Sequence, residues 1–254
     1  MLLNREDHFK EYIFSESEFE IYLHNNFHTF TQIDSWSESK TGKGERNMID
    51  INVYEPDIVS NKEELIRSVL NSKVKQLIRY GLEPKEDFPK EYGLDEKMAF
   101  SLSEGSLVIE FENGTSLGFN SDEEICSVII WAERYERQYK PEQLRSAEDL
   151  FPIKADDMKY STEFFANLIN KTLIGFEIIK LEPYSPIYYA LPREVGLVLI
   201  FSNNSQMIIS HQLTKQVSHD FTVLDWKQVD KTDVYERLYK SSRFWGDIRG
   251  EIIY

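Results

Sequence analysis

The residues able to do chemistry are few and scattered. His24 and His28 stand four apart, the spacing that would place two imidazoles on one helix face for a metal ion. The surrounding "EFEIYLHNNFHTFTQI" instead alternates Phe19, Ile21 and Leu23, turns at Asn25-Asn26 and resumes with Phe27, Thr29 and Thr31. That pattern predicts a hairpin, which separates the two rings. His211 and His219 flank "QLTKQVS", and Asp220 follows the second, a base and an orienting carboxylate by type. Neighbours in a strand point to opposite faces, so both histidines read as surface residues. "KTGKGE" (Lys40 to Glu45) carries the glycines and lysine of a phosphate loop, but that motif needs glycine and Ser or Thr where this chain has Ser37 and Gly44. With no G-x-G-x-x-G or H-E-x-x-H present, and with the G-x-S-x-G spelling of Gly114 to Gly118 falling in a hairpin rather than in a strand-to-helix elbow, no catalytic residue, cofactor or metal is expected.

The remaining chemistry is of a kind that recognises rather than reacts. "SDEEI" supplies Asp122, Glu123 and Glu124, "ADDM" supplies Asp156 and Asp157, and "SESEFE" supplies Glu16, Glu18 and Glu20. None has the ligand spacing of an ion loop, so they read as solvated charge able to meet basic groups of a partner. "EPYSPIYYALP" places Tyr184, Tyr188 and Tyr189 between prolines, and tyrosines on a stiffened loop give contact area at low entropic cost. Tyr184, Tyr188, Tyr189, Asp122, Glu123, Glu124, Asp156 and Asp157 are therefore the partner-binding candidates. Cys126, the single cysteine, reads as a small buried thiol in "ICSVIIW" and excludes an intrachain disulfide.

Composition narrows the partners. Lys and Arg number 29 against 44 Asp and Glu, a formal charge of −15 that repels phosphate backbones and anionic lipid at long range. Nucleic acid and membrane are disfavoured, and a basic protein is favoured. The N-terminal "MLLNREDHFKEY" lacks the apolar core of a secretory signal, and the apolar run "VGLVLIF" is too short to span a bilayer, so a cytoplasmic location is expected. With 41% hydrophobic residues over 254 positions, the chain can bury a core.

The elements that must position these groups occur twice. "YERQYK" (Tyr135 to Lys140) and "YERLYK" (Tyr235 to Lys240) differ at one position. In "EELIRSVLN" the apolar Leu65, Ile66, Val69 and Leu70 precede Asn71; in "TEFFANLIN" Phe164, Phe165, Leu168 and Ile169 precede Asn170, at a constant offset of 99. Both read as helices, with Ser60 and Glu63 forming a capping box for the first and Ser161 capping the second. Apolar strands follow and end in Leu-Glu-Pro at Pro84 and Pro183. "LVIEFENGTSLGFNS" and "LVLIFSNNSQMIIS", offset by 90, then predict hairpins with type I′ turns at Asn113-Gly114 and Asn203-Asn204. "WAERYERQYK" puts Trp131, Tyr135 and Tyr139 on one helical stripe with Glu136 and Lys140 as an i, i+4 pair, and the second copy repeats it, so a closing helix is expected in each.

The expected fold is α+β: two tandem pseudo-repeats, each a helix, antiparallel strands with an Asn-Gly or Asn-Asn hairpin, and a closing helix. Residues 1–59 hold an N-terminal hairpin and mobile loop, 60–140 the first unit, 141–159 a polar connection, and 160–254 the second unit with its tail. Tandem units of this kind pack about a pseudo-twofold axis by the logic of a symmetric dimer. The hairpin "LVIEFENGTSLGF", with "LIGFEI" followed by "LVLIFSNN", resembles the β-rich units of proteins encoded beside bacterial polymorphic toxins, some of them immunity proteins. The resemblance implies an acidic binding protein that inhibits or sequesters a protein partner without catalysis, and transfers no site residues. Two further readings are a hydrolase or metal-dependent enzyme with its site at the repeat junction, and an oligomeric scaffold module of a bacterial or phage system.

Overall fold

A computed structural model of the chain describes residues 57–134, 144, 149–182, 191–213, 221–229 and 238–245. Every one of these belongs to the compact unit Val53–Tyr254. The elements begin with α1 (Glu63–Arg67) and β1 (Val74–Gly81), then α2 (Phe88–Glu91), a 3₁₀ turn (Glu96–Met98) and α3 (Ala99–Leu102). Strands β2 (Gly105–Phe111), β3 (Ser116–Asp122), β4 (Ser127–Arg134) and β5 (Phe151–Lys154) follow. After α4 (Glu163–Ala166) come β6 (Leu173–Leu181), β7 (Glu194–Phe201), β8 (Gln206–His211), β9 (Phe221–Asp225) and β10 (Leu238–Trp245). The fold is α+β and mostly β: two antiparallel five-stranded sheets, ordered β4-β3-β2-β1-β5 and β10-β6-β7-β8-β9. In each sheet four consecutive strands form a meander, and the fifth in chain order returns to pair beside the first.

The strands form where β-branched and aromatic residues cluster, and the sheets carry their core between them. Leu77, Ile109 and Phe119 of the first sheet and Phe176, Leu199 and Phe201 of the second belong to one buried cluster. Burying a phenylalanine of this kind contributes about 2–3 kcal/mol. Strand β7 is buried along its whole length, as its run of Val, Leu and Ile requires of a strand covered on both faces.

Each hairpin turns on a three-residue loop. Gly114 N donates to Phe111 O and Phe111 N to Thr115 O; Asn204 N donates to Phe201 O and Phe201 N to Ser205 O. Only the third loop residue is left-handed, Gly114 at φ 92° and Asn204 at φ 64°. This is a type I turn with a bulge, not the expected type I′, which needs positive φ at both central residues. The side chain of Asn113 accepts from Thr115 N at 3.0 Å, and that of Asn203 from Ser205 N at 3.1 Å, which holds each asparagine in right-handed backbone.

The closing helices are corrected where the structure describes them. Trp131 to Arg134 lie in β4 and Leu238 to Lys240 in β10; residues 135–140 and 235–237 lie outside the described residues. The helical spacing of Trp131 with Tyr135 loses to pairing with β3, where Trp131 stands opposite Gly118 and donates from Nε1 to Glu133 Oε2, two residues on along the strand, at 2.9 Å. Neither the Ser60–Glu63 capping box nor the Ser161 cap forms. Lys62 and Thr162 occupy the N-cap positions without side-chain bonds, Ser60 turns its backbone N–H to Glu194, and Glu63 pairs with Arg67 at 3.0 Å. The span read as a connection contains β5. The predicted hairpin at Phe19 to Thr31, with His24 and His28, lies outside the described residues.

Where the two sheets meet, the backbone bonds are reciprocal. Asn71 N donates to Leu173 O and Asn170 N to Val74 O, each at 2.8 Å; Val74 N donates to Lys171 O at 2.9 Å and Leu173 N to Ser72 O at 3.0 Å. Lys73 and Thr172 form an antiparallel bridge at the centre of this exchange. Asn71 and Asn170 both adopt left-handed backbone, at φ 63° and 64°, a conformation asparagine tolerates better than most residues.

Candidate functional site

At one end of the first sheet a groove of about 530 Å³ opens. Its residues come from distant parts of the chain: Leu82 beyond β1, Glu104 to Ser106 at the start of β2, Asn120, Ser121 and Glu123 around the end of β3, Leu144 and Leu150, and Phe221 at the start of β9. Antiparallel pairing of β1, β2 and β3 puts three of these chain positions on the same sheet end. Gly105 is required there: its φ is 104°, and a Cβ would fall 1.9 Å from Tyr80 O. Leu82 is half exposed and Phe151, opposite Gly81, is partly exposed, so the groove borders an apolar rim.

The electrostatics of this end are acidic. Glu104 and Glu123 line the groove. Partial desolvation, followed by the negative charges of Glu104, Glu83 and Glu91, holds the Tyr92 phenol above its ordinary pKa. Three carboxylates therefore act on one ring. The polar floor is internally bonded, with Asn120 Nδ2 donating to Ser106 Oγ at 3.3 Å and Ser121 N to Asn120 Oδ1 at 2.9 Å.

Of the residues predicted as partner-binding, the structure brings Glu123 into the groove and places Asp122 and Glu124 beside it in the β3–β4 turn, where Asp122 Oδ1 accepts from Glu124 N at 2.9 Å. Asp156 and Asp157 follow β5 and do not line the groove. Asp156 accepts from Gln76 Nε2 at 3.3 Å, and Asp157 pairs with Lys85 at 2.6 Å. Tyr184, Tyr188 and Tyr189 lie outside the described residues, as do His219 and Asp220. His211 is a correction: it is buried rather than on the surface, because antiparallel pairing puts it on the same face as Phe221, whose ring packs against Arg79 of the first sheet. Cys126 is likewise only half buried, in left-handed backbone at φ 50° in the same turn as Glu123. Sequence reasoning missed Leu82, Glu104 and Phe221; the Glu104-Gly105 pair just before an apolar strand was the local signal available.

A second depression of about 520 Å³ lies over the outer side of β1, β2 and β5, lined by Lys75, Gln76, Ile78, Tyr80, Glu110, Pro152 and Lys154. Its charges are mixed, two lysines with one glutamate. Among the described residues no three His, Cys, Asp or Glu side chains gather as a metal site, and no helix is long and apolar enough to cross a membrane.

Protein-family models, curated proteins and solved structures give no match to this chain. The groove is consequently read from its own chemistry.

The Lys85–Asp157 pair makes a stability prediction. The hydrogen bond from Lys85 holds the Asp157 carboxyl below its ordinary value, with help from the Lys85 charge and the Lys159 N–H; the same bond raises the Lys85 ammonium. A depressed carboxylate stabilises above its unfolded pKa, ordinarily 3.8, and loses that contribution as pH falls through the folded value. The Lys85 share is present below its ordinary 10.5 and is lost as pH rises through the raised value. Both side chains are about 30% exposed, so screening limits the pair. Asp157→Asn is expected to cost about 0.5–1 kcal/mol at neutral pH, and urea titrations should show the difference closing as pH falls below the ordinary carboxylate range.

Proposed function

We propose that this chain is an acidic binding protein that acts without catalysis and holds a basic segment of a protein partner in the groove at the end of the first sheet. By doing so it inhibits or sequesters that partner, in the manner of the immunity-type proteins it resembles. The observation that carries this reading is the groove itself, where Glu104 and Glu123 share the walls with Leu82 and Phe221. Lysine and arginine present both a cation and an aliphatic stem, which suits mixed walls of this kind. The formal charge of −15 adds long-range attraction that speeds encounter with a basic partner. A lone cysteine fits a reducing, cytoplasmic setting.

We also propose that the two sheets descend from one unit copied in tandem and packed about a pseudo-twofold axis near Lys73 and Thr172. The shared strand order, the matching hairpin loops and the reciprocal bonds of Asn71 and Asn170 support this. An isologous contact produces that kind of exchange, in which residue i meets j and j meets i.

The binding reading is tested with a labelled peptide of alternating lysine and leucine against the full chain in stopped flow. The association rate is expected to fall by roughly tenfold or more between low and physiological salt. Glu104→Lys with Glu123→Lys should abolish binding while the chain stays folded. Salt-insensitive binding, or binding untouched by the double charge reversal, overturns the proposal.

A further inference from the structure

Arg79 is the one charged residue of β1 that points into the core, and its side chain is wholly buried. Among the described residues it forms no ion pair. Its guanidinium lies 4.3 Å from the centre of the Phe221 ring. Nε donates to Ser103 O at 3.1 Å, Nη2 donates to the same carbonyl and to Phe221 O at 3.0 Å, and Nη1 has no hydrogen-bond partner among the described residues. Placing an unpaired cation in a core is costly, and an apolar side chain of similar volume would be the cheaper choice for stability alone.

The two carbonyls it holds explain its place. Ser103 ends the α3 segment and is followed directly by Glu104 and Gly105, while Phe221 opens β9 in the other sheet. Three groove residues, Glu104, Gly105 and Phe221, therefore hang from one planar fork reaching across from β1. Lysine has no such fork. A single ammonium on a flexible stem cannot hold the geometry that fixed guanidinium donors impose on two acceptors while the same plane stacks on a ring.

We infer that Arg79 is the positioning residue of the groove, clamping its Glu104 wall in the first sheet to its Phe221 wall in the second, an inference that rests on the groove being the binding site. Ligand contact is left to the wall residues. Burial lowers the Arg79 pKa to about 9, which leaves the fork charged at neutral pH and able to donate.

The test compares the full-length chain with Arg79→Lys, Arg79→Gln and Glu104→Gln, using the lysine–leucine peptide and backbone hydrogen exchange. Arg79→Lys and Arg79→Gln are expected to weaken peptide binding by roughly tenfold at every salt concentration with the salt slope unchanged, because the carboxylates remain. Glu104→Gln should instead flatten the slope. In both Arg79 variants, exchange should quicken at Glu104, Gly105 and Phe221 and stay as in the wild type at the Lys73–Thr172 bridge. Wild-type affinity in Arg79→Lys, or exchange that quickens evenly through both sheets, overturns the clamp. If the wild type binds no peptide, the binding reading fails, and the exchange pattern alone still decides whether Arg79 holds the two walls.

Discussion

Replacing Gly105 with alanine is expected to cost more than about 3 kcal/mol, enough to unfold a marginally stable chain. Two penalties combine. At φ 104° the backbone lies outside even the left-handed region that other residues occasionally enter, a strain of about 1–3 kcal/mol. The added Cβ would also stand 1.9 Å from Tyr80 O, a backbone atom of the paired strand that cannot swing aside. Relief requires β1 and β2 to part at the Gly81–Gly105 pair, beside the Arg79 clamp. Gly93→Ala separates the terms, since Gly93 has φ 64° and nothing within 4 Å of its added Cβ. That control should lose only about 1 kcal/mol. Guanidinium titrations of both variants check the ordering, and equal losses would show that crowding against Tyr80 plays no part.

The same contrast between local and distant causes explains how much the sequence reveals. Strands β1 and β6 were legible in their apolar β-branched runs, and the turns at Asn113 and Asn203 in the residues that favour them, because those preferences act within a few positions. The turn class was misread because Asn113-Gly114 suits two geometries. The asparagine bonds to Thr115 N and stays right-handed, leaving the left-handed position to glycine. Trp131 was misread as helical because its i, i+4 relation to Tyr135 coexists with an alternating pattern, and the flat approach of its ring to Gly118 is visible only once β3 and β4 pair. The groove was the least legible feature. Glu123 was found as one of a run of acids, whereas Leu82, Glu104 and Phe221 carry no mark of their own and converge through sheet pairing and Arg79. His211 was misplaced for a similar reason, since only the pairing of β8 with β9 shows that it shares the face on which Phe221 meets Arg79.

Glu194 should be the second most sensitive position. Its carboxylate is wholly buried, with Oε1 2.8 Å from Lys180 Nζ and Oε2 accepting from Ser60 N at 2.9 Å, while its own N–H donates to Ser127 Oγ at 3.0 Å. One residue thus joins β6, β7, the entry to α1 and the start of β4. Glu194→Ala removes the ion pair and leaves the Ser60 N–H without its acceptor; Lys180 is about a quarter exposed and can regain water. The expected loss is about 3 kcal/mol, the lower end for a broken buried pair. Glu194→Gln keeps the volume and one acceptor and should lose about 1–2 kcal/mol. Lys180→Met should cost more than Glu194→Gln, because it leaves the carboxylate buried without its cation. Combining Lys180→Met with Glu194→Leu removes both charges together, and the part of the loss due to an unpaired charge should return, leaving the cost of the Ser60 N–H without its acceptor. A double variant no more stable than the sum of its singles would mean that the pair is uncoupled and that Glu194 acts through the Ser60 bond alone.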